Sequence, residues 1–378
     1  MTCSGTPRSV LAAVPPLRVL FDGRKLGPHG IGVHAEQIIA GLLEVGGVQL
    51  SVLGRAEEIR RYPWGGEVEI LDDRSEPYSI PALWRMSDRV RAGRFDLFHT
   101  PHYMLPFGLG LPGVVAIHDL IQVHAPERWW HGPVAGALIR SALSRAARVV
   151  TVSEAVRQEL LALGHDHLLA AKVVVIPNAL PGGGLQQTRL GGPREGLLAV
   201  ISTPKPHKGV AELLEALSML RQTGLTPRLI LAGAGTEDPA IRALVAAAAP
   251  GTQVEIRGRV GEEELRALYR RAQALVVASR AEGFCIPVIE AQAADTPVVT
   301  TPIPAVREIV LPGDVVCADF SPGAIAAGIR GILAGEVVVT PPEVRRSHLA
   351  RFDRLAIARQ VSGMYRDVVP VAAQLKAR

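Results

Sequence analysis

Short, mainly apolar runs alternate with segments of helical spacing along most of the chain, and this alternation limits the possible folds more than any other feature. Mainly apolar runs stand at 17–21, 114–118 and 228–232. A glycine-containing loop at 27–32 follows the first run, and apolar residues at helical spacing come next, at 34–43. Further along, Ser153 is the predicted N-cap of a helix at 154–163. Strands that are buried on both faces read as continuous apolar runs, and helices between them are typical of parallel sheets. The sequence therefore predicts an α/β protein.

A glycine- and proline-rich stretch at 181–193 divides this pattern into two halves of similar size. Such a composition is typical of a linker, and the strand–helix alternation restarts at residue 197. A length of 378 residues fits two domains of ordinary size. We therefore predict an N-terminal α/β domain at 1–185, a C-terminal α/β domain at 186–350 and a helical tail at 351–378.

Charge and cysteine content exclude several classes of protein. The 41 basic and 36 acidic residues leave a net charge of +5, which suits anionic ligands such as phosphates but does not by itself indicate nucleic acid. The three cysteines, at 2, 285 and 317, form neither a disulfide framework nor a zinc motif. No apolar run reaches the roughly 18 residues of a transmembrane helix, and the N-terminus makes a poor signal peptide. We therefore expect a cytoplasmic protein.

One segment, 279–290, carries the strongest chemical signal, with the sequence SRAEGFCIPVIE after a predicted strand. Pro287 suits the first turn of a helix, so the backbone N–H groups of residues 283–286 would point out of the helix start and offer an anion site for a diphosphate. Glu282 and Glu290 flank these groups. Because carboxylates repel phosphate, we expect these two to accept hydrogen bonds from sugar hydroxyl groups.

This segment closes a series of motifs whose order resembles that of the retaining glycosyltransferases of family GT4. The motifs are Gly30-Ile31-Gly32, His118-Asp119-Leu120, Thr151-Val152-Ser153-Glu154, Ile176-Pro177-Asn178, His207-Lys208-Gly209, Ala232-Gly233-Ala234-Gly235, Gly258-Arg259-Val260 and the stretch from Glu282 to Glu290. The resemblance covers nearly the whole chain. It implies the GT-B fold, in which two Rossmann-like α/β/α domains face a cleft, and a tail helix that packs back on the N-terminal domain.

The resemblance also implies a role for each matching residue. Three residues would be catalytic: His118 contacts the transferred sugar, Glu282 lies near its hydroxyl groups, and Lys208 neutralises the donor diphosphate. Glu290 would bind the ribose of the nucleotide. The other donor-binding positions are Gly30, Gly32, Thr203, Lys205, Arg259, Val260, Gly283, Phe284, Cys285 and Ile286.

The chain departs from the family pattern at three places. One is Val33-His34 after Gly32, where Arg-Tyr is common, and it concerns the acceptor side. The other two concern the donor side. Thr203 stands five residues before Lys208, where the family usually carries arginine, and Lys205 offers a substitute charge from a different position. Cys285 stands where glycine is usual, although its backbone N–H remains available to a ligand. Both departures bear on how the diphosphate is bound.

The resemblance implies an enzyme that transfers a sugar from a GDP- or UDP-linked donor to a hydroxyl group of a glycan or lipid-linked acceptor, with retention of configuration. The first donor we expect is GDP-mannose, since the motifs look most like the mannosyltransferase branch. No Asp-x-Asp motif is present, so we expect no metal and no other cofactor. Arginines at 85, 89, 91 and 94 indicate a candidate contact with membrane lipid, and nucleic acid is not an expected partner.

Two alternatives stay open at the level of sequence. The first is a catalytically silent GT-B module that binds a nucleotide sugar or a partner; Thr203 and Cys285 favour it, whereas the retained catalytic residues argue against it. The second is a nicotinamide-dependent dehydrogenase. That class requires Gly-x-Gly-x-x-Gly after the first strand, and the third glycine is missing after Gly30-Ile31-Gly32.

Overall fold

The computed structural model describes residues 16–79, 83–84, 95–126, 129–163, 167–182, 194–248 and 251–376. Its first sheet has seven parallel strands in the order β3-β2-β1-β4-β5-β6-β7. They are β1 Leu17–Asp22, β2 Val48–Gly54, β3 Glu69–Asp72, β4 Leu97–Thr100, β5 Gly113–Ile117, β6 Arg148–Thr151 and β7 Val173–Val175. The central strands are apolar because both faces are covered: Phe21 packs into one hydrophobic cluster and Leu20 into another, on the opposite face.

Helices cover both faces of this sheet. They are α1 Gly30–Val45, α2 Ala56–Ile59, α3 Ile121–His124, α4 His131–Arg145, α5 Glu154–Leu163 and α6 His167–Lys172. The predicted N-cap at Ser153 is present, since its Oγ accepts a hydrogen bond of 3.2 Å from the N–H of Val156.

The second sheet has six parallel strands in the order β10-β9-β8-β11-β12-β13. They are β8 Leu197–Val200, β9 Leu229–Ala232, β10 Val254–Gly258, β11 Ala274–Val277, β12 Val298–Thr300 and β13 Val315–Val316. The helices after β8 are α7 Val210–Gln222, α8 Pro239–Ala246, α9 Glu262–Arg271, α10 Ile286–Ala293, α11 Pro304–Arg307, α12 Pro322–Leu333, α13 Pro342–Ala350 and α14 Arg354–Lys376, with 3-10 turns at Pro206–Lys208 and Ala234–Glu237. The predicted α/β class with two Rossmann-like sheets is confirmed.

The structure corrects the start of one predicted helix. Helix α1 begins at Gly30, so Gly30 and Gly32 lie in its first turn and not in a preceding loop; the ring Nδ1 of His29 caps this turn by accepting from the N–H of Gly32 at 3.1 Å. The tail contains one helix, α14, which begins at Arg354 and is separated from α13 by residues 351–353. The predicted domain boundary at 185/186 and the arginines at 85, 89, 91 and 94 lie outside the described residues.

The last helix belongs to the core of the N-terminal domain. Val361, Met364 and Tyr365 of α14 are buried in one hydrophobic cluster with residues of β1 and α1. The segment that leaves the N-terminal domain and the segment that returns to it lie side by side, since the N–H of Leu180 donates to the carbonyl oxygen of Phe352 at 2.8 Å. No described helix is both long and apolar enough to cross a membrane.

A carboxylate joins the two domains at a second point. Glu308, directly after α11 in the C-terminal domain, accepts hydrogen bonds from the backbone N–H groups of Glu154 and Ala155 at 2.9 and 2.7 Å. These groups form the first turn of α5 in the N-terminal domain, where a negative charge is favourable. The Glu308 side chain therefore caps a helix of the opposite domain.

Candidate active site

The carboxyl ends of the two sheets meet at Gly283. A Cβ atom at this position would lie 1.7 Å from the carbonyl oxygen of His118 and 3.2 Å from Cβ of Asp119. Only a residue without a side chain fits there, so the loop after β11 touches the loop after β5 directly. In open α/β sheets, ligands bind at the strand ends where the strand order reverses. Here those points lie between β1 and β4 and between β8 and β11.

An ion pair stands at the second of these points. Lys208 follows β8 and Glu282 follows β11, and the ammonium Nζ donates to Oε1 of Glu282 at 2.7 Å. The hydroxyl group of Ser279 donates to the same oxygen at 2.7 Å. Burial lowers the pKa of Lys208, but its pairing with Glu282 more than offsets this, so the pKa is raised and the amine stays charged. The site thus holds a fixed cation beside a carboxylate.

A glycine places this lysine. Gly209 has φ +67°, and a Cβ atom there would lie 2.0 Å from the carbonyl oxygen of Ala278 at the end of β11. Glycine is suited both to the left-handed conformation and to this close approach. The 3-10 turn that carries Lys208 therefore packs tightly against the segment that leads to Glu282.

Asp119 brings a second carboxylate to the pair from the N-terminal domain. Burial raises the pKa of Asp119, Glu282 raises it further, and Lys208 works in the opposite direction. Its Oδ1 accepts from the N–H of Ile121 at 3.0 Å and so begins α3. Sequence analysis quoted Asp119 only as part of a motif. Its position at a strand end was the available signal, because such ends line the cleft.

His118 is held as a neutral imidazole. Its Nε2 lies 3.0 Å from the carbonyl oxygen of Pro101, which can only accept, so Nε2 carries the proton and Nδ1 has a free lone pair. Burial lowers the pKa of His118 to about 4. The ring of the buried His34 stands edge-on to it at 4.6 Å between centroids. At neutral pH the His118 ring therefore offers an acceptor nitrogen and no charge.

Glu290 lies in α10 and pairs with a residue that sequence analysis did not identify. The hydroxyl group of Tyr269, on α9, donates to its Oε2 at 2.8 Å. Burial raises the pKa of Glu290 to about 7, although this hydrogen bond works in the opposite direction. Tyr269 stands 21 positions away on another helix, and no local pattern indicates the contact.

The start of α10 has a strained backbone. Cys285 caps the helix with φ +73° and ψ +72°, a left-handed conformation that costs a residue with a Cβ atom about 1–2 kcal/mol. Burial raises the pKa of the thiol well above its usual value, so the group is a neutral packing side chain and not a thiolate. Phe284 points into the core, where its ring stands 5.6 Å from that of Phe352. Only its backbone is free to face a ligand.

We expect Cys285→Gly to stabilise the protein by about 1 kcal/mol, because glycine adopts the left-handed conformation without strain and little packing is lost. In thermal unfolding this corresponds to a rise of about 2–4 °C. Cys285→Ala is the matched control: it removes the sulfur but keeps the Cβ atom, and should not raise the melting temperature. An equal rise in both variants would mean that the thiol, and not the backbone, is unfavourable.

The remaining predicted positions lie around this centre. Gly30 has open space around it, whereas a Cβ at Gly32 would lie 2.2 Å from the carbonyl oxygen of Gly27. Thr203 backs the Gly233–Gly235 turn, with its backbone 2.7 Å from a Cβ built at Gly235. Lys205 precedes the 3-10 turn that bears Lys208, and Ile286 opens α10. Arg259 is exposed with its N–H bonded to Glu237 at 3.0 Å, and Val260 packs on the core.

A cluster of aromatic and polar side chains lies on the N-terminal side of the cleft and was not predicted. Tyr78 and Tyr103 have ring centroids 5.5 Å apart, and the hydroxyl group of Tyr103 donates to Gln122 at 2.8 Å. Lys25 places its ammonium 4.8 Å above the Tyr78 ring. Asp119 acts electrostatically on both tyrosines. The cluster therefore adjoins the centre that holds the ion pair.

Comparison with known proteins identifies the family of both halves of the chain. A family model described as Glycosyltransferase Family 4 matches residues 28–181, and one described as Glycosyl transferases group 1 matches residues 192–347. An MMP alpha-(1->4)-mannosyltransferase from Mycolicibacterium hassiacum is 29% identical, over 68% of this chain and 66% of its own length. An O-antigen chain mannosyltransferase B from Escherichia coli is 28% identical, over 67% of this chain and 69% of its own length. The chain thus spans about two thirds of the length of these curated relatives.

Solved structures share the fold over nearly the whole chain. Sucrose-phosphate synthase from Thermosynechococcus elongatus superposes with a TM-score of 0.75, 18% identity and coverage of 94% of this chain and 100% of the other. Anabaena HepE in complex with UDP and glucose superposes with a TM-score of 0.70 and 18% identity, over 92% of this chain and 99% of the other. With one model on each domain and two Rossmann-like sheets, the chain belongs to the glycosyltransferases of family 4, with the GT-B fold.

Proposed function

We propose that this protein transfers a hexose from a nucleoside diphosphate sugar to an acceptor hydroxyl group, with retention of configuration. The observation that carries the proposal is the Lys208–Glu282 ion pair, which stands where the loop after β11 touches His118 across the cleft. Membership of a glycosyltransferase family supports the general reaction.

In this proposal the fixed cation of Lys208 stabilises the leaving diphosphate as the glycosidic bond breaks. Glu282 accepts hydrogen bonds from hydroxyl groups of the donor sugar, and the free Nδ1 of His118 accepts another. The leaving phosphate takes the proton of the acceptor hydroxyl, which attacks from the same face of the sugar. Asp119 and the tyrosine cluster lie on the acceptor side. No metal has a role in this scheme.

For the donor we propose GDP-mannose first. Three of the curated relatives are mannosyltransferases by name, which supports mannose. Other relatives are named glycogen synthase and D-inositol 3-phosphate glycosyltransferase. The HepE complexes hold UDP and glucose, which makes UDP-glucose the second candidate. The residues that would meet the nucleotide are Glu290 at the ribose and Arg259 and Val260 at the base.

We expect one nucleotide to raise the melting temperature of the wild-type protein in a screen of GDP, UDP, ADP and their sugar conjugates without added metal, since a ligand that binds only the folded state stabilises it. Glu290→Ala should lose most of this shift, because it removes the acceptor for the ribose hydroxyl groups. The control is Glu343→Ala, which removes an exposed carboxylate on α13 and should leave the shift unchanged.

The pH dependence of this shift tests the role of Glu290 separately. With its pKa near 7, the carboxylate ionises between pH 6 and 8, and an ionised group is the better acceptor for ribose hydroxyls. Nucleotide binding should therefore strengthen as the pH rises through 7, and Glu290→Gln should abolish that dependence. A shift that Glu290→Ala leaves intact would contradict the assignment. Nucleotide binding without any sugar transfer or donor hydrolysis would favour a silent module.

A further inference from the structure

A hydrogen bond holds a buried histidine, His34, in place beside His118. His34 lies in the second turn of α1 and is 2% exposed. Its Nδ1 donates to Oδ1 of Asn178 at 2.7 Å, since an amide oxygen can only accept. Asn178 follows β7 and is itself buried. The hydrogen bond therefore ties the His34 ring to a second element of the N-terminal domain.

The other ring nitrogen of His34 makes no hydrogen bond. Nε2 is buried and has no partner within the part of the chain that the structure describes. A buried acceptor without a partner is unfavourable, because its hydrogen bond to water is lost and not replaced. Burial and the neighbouring His118 both lower the pKa of His34, so the ring stays neutral. Packing alone therefore does not explain a polar ring at this position.

His34 contacts the ring of His118 directly. The two ring centroids are 4.6 Å apart and the ring planes are perpendicular, which is a preferred arrangement for aromatic rings. His118 is also held by its hydrogen bond to the carbonyl oxygen of Pro101 at 3.0 Å. A single hydrogen bond fixes one atom of a ring and lets the ring pivot about that atom. Because the perpendicular His34 ring blocks this pivot, the two contacts together fix the plane of the His118 ring.

We propose that His34 is a positioning residue, which holds the His118 ring in the plane that directs its Nδ1 lone pair at the donor sugar. The inference rests on the proposed function, in which this nitrogen accepts a hydrogen bond from a sugar hydroxyl group. Hydrogen bonds weaken steeply as they bend, so a tilted His118 ring would be a poor acceptor. The sequence places the departure at Val33-His34 on the acceptor side, whereas the structure places His34 against the residue that would contact the transferred sugar.

Two substitutions separate the His34 ring from its hydrogen bond. His34→Ala removes the ring and should lower kcat at least ten-fold in sugar transfer or donor hydrolysis, because small errors in the position of a reacting group reduce the rate strongly. The donor KM should change less than three-fold, since the proposed nucleotide contacts lie in the C-terminal domain. His34→Phe restores a planar ring beside His118 but cannot donate to Asn178, and should keep kcat within three-fold of the wild type.

Leu42→Ala is the matched control for a loss of stability. Leu42 lies about 12 Å further along α1 and is fully buried in the core of the N-terminal domain. Its truncation should lower the melting temperature at least as much as His34→Ala does. Because the His34 ring is kept, Leu42→Ala should retain the wild-type kcat when it is assayed below its melting temperature.

Long-range ¹H–¹⁵N spectra of the histidine rings test the positioning without any substrate. Wild-type His118 should give the nitrogen shifts of one tautomer, with the proton on Nε2, and His118→Gln identifies its signals by their loss. In His34→Ala the ring is free to pivot, so these signals should broaden or move towards the average of the two tautomers. Leu42→Ala should keep the wild-type His118 signals.

Four kinetic results would overturn the proposal. They are a kcat of His34→Ala within three-fold of the wild type, an equal loss of kcat in Leu42→Ala, an equal loss in His34→Phe, and a rise in donor KM at unchanged kcat, which would make His34 a binding residue. Unchanged His118 signals in His34→Ala would overturn it as well. If the wild type neither transfers sugar nor hydrolyses a donor, the proposed function fails, and the spectra still decide whether His34 fixes the His118 ring.

Discussion

Replacing Lys208 with alanine should lower the rate of sugar transfer by about 10²–10³-fold, the usual cost of removing one fixed group that stabilises developing negative charge. The ammonium is charged and held 2.7 Å from Glu282, so it needs no reorganisation when the phosphate leaves. The loss should fall mainly on kcat, because the developing charge is largest in the transition state. Steady-state kinetics of transfer, or of donor hydrolysis where no acceptor is known, measure it.

Two other lysines make this experiment specific. Lys172, which donates to the carbonyl oxygen of Ser144 away from the cleft, is the control, and Lys172→Ala should keep full activity. Lys205→Ala tests whether this residue replaces the arginine that the family carries at the place of Thr203. It should lower activity less than Lys208→Ala. A larger loss at Lys205, or a loss below five-fold at Lys208, would mean that the diphosphate is neutralised elsewhere.

Gly283→Ala should lower kcat/KM by at least 10²-fold while leaving the melting temperature within about 2 °C of the wild type. The added Cβ would lie 1.7 Å from the carbonyl oxygen of His118. No side-chain movement relieves this clash, because the oxygen is a backbone atom and the Cβ is bonded directly to the backbone. The two domains must separate to make room. Since misplacing reacting groups by about 1 Å can cost 10²-fold in rate, opening the cleft at this point should suppress transfer without unfolding either domain.

Gly261→Ala is the matched control for this change, because nothing lies within 4 Å of a Cβ there and its φ of −70° suits any residue. Small-angle scattering should show a larger radius of gyration for Gly283→Ala than for Gly261→Ala. Wild-type activity in Gly283→Ala would show that catalysis does not require contact between the loops after β5 and β11. A large fall in melting temperature would instead indicate local unfolding around α10.

Local patterns in the sequence were sufficient for most of the fold. Strands such as β5 and β9 are buried on both faces, so their apolar runs identified them, and Ser153 marked the start of α5. Sequence analysis missed β3 and β13. The first is a partly exposed edge strand with acidic residues at both ends, and the second has only two residues. Neither presents the continuous apolar run that a buried strand needs.

The residues of the candidate site could likewise be predicted where a local motif contains them, but their contacts with distant residues could not. Glu282, Glu290 and Lys208 were identified because they stand in short motifs, but the 2.7 Å contact between Lys208 and Glu282 joins residues 74 positions apart. Such contacts depend on which strands are neighbours in the sheet, and spacing alone does not give that order. Tyr269 and Glu308 were missed for this reason, since each meets its partner across helices or across domains.

The return of α14 to the N-terminal domain has a consequence for how the protein is made. The C-terminal domain is encoded between two parts of its neighbour, so all of its strands have been synthesised before the N-terminal domain receives Val361, Met364 and Tyr365. Domains generally fold as units during synthesis, in order from the N-terminus. Here that order is interrupted, because the N-terminal domain is incomplete until α14 has been synthesised. Until then, the apolar residues of β1 and α1 that α14 covers are accessible to chaperones.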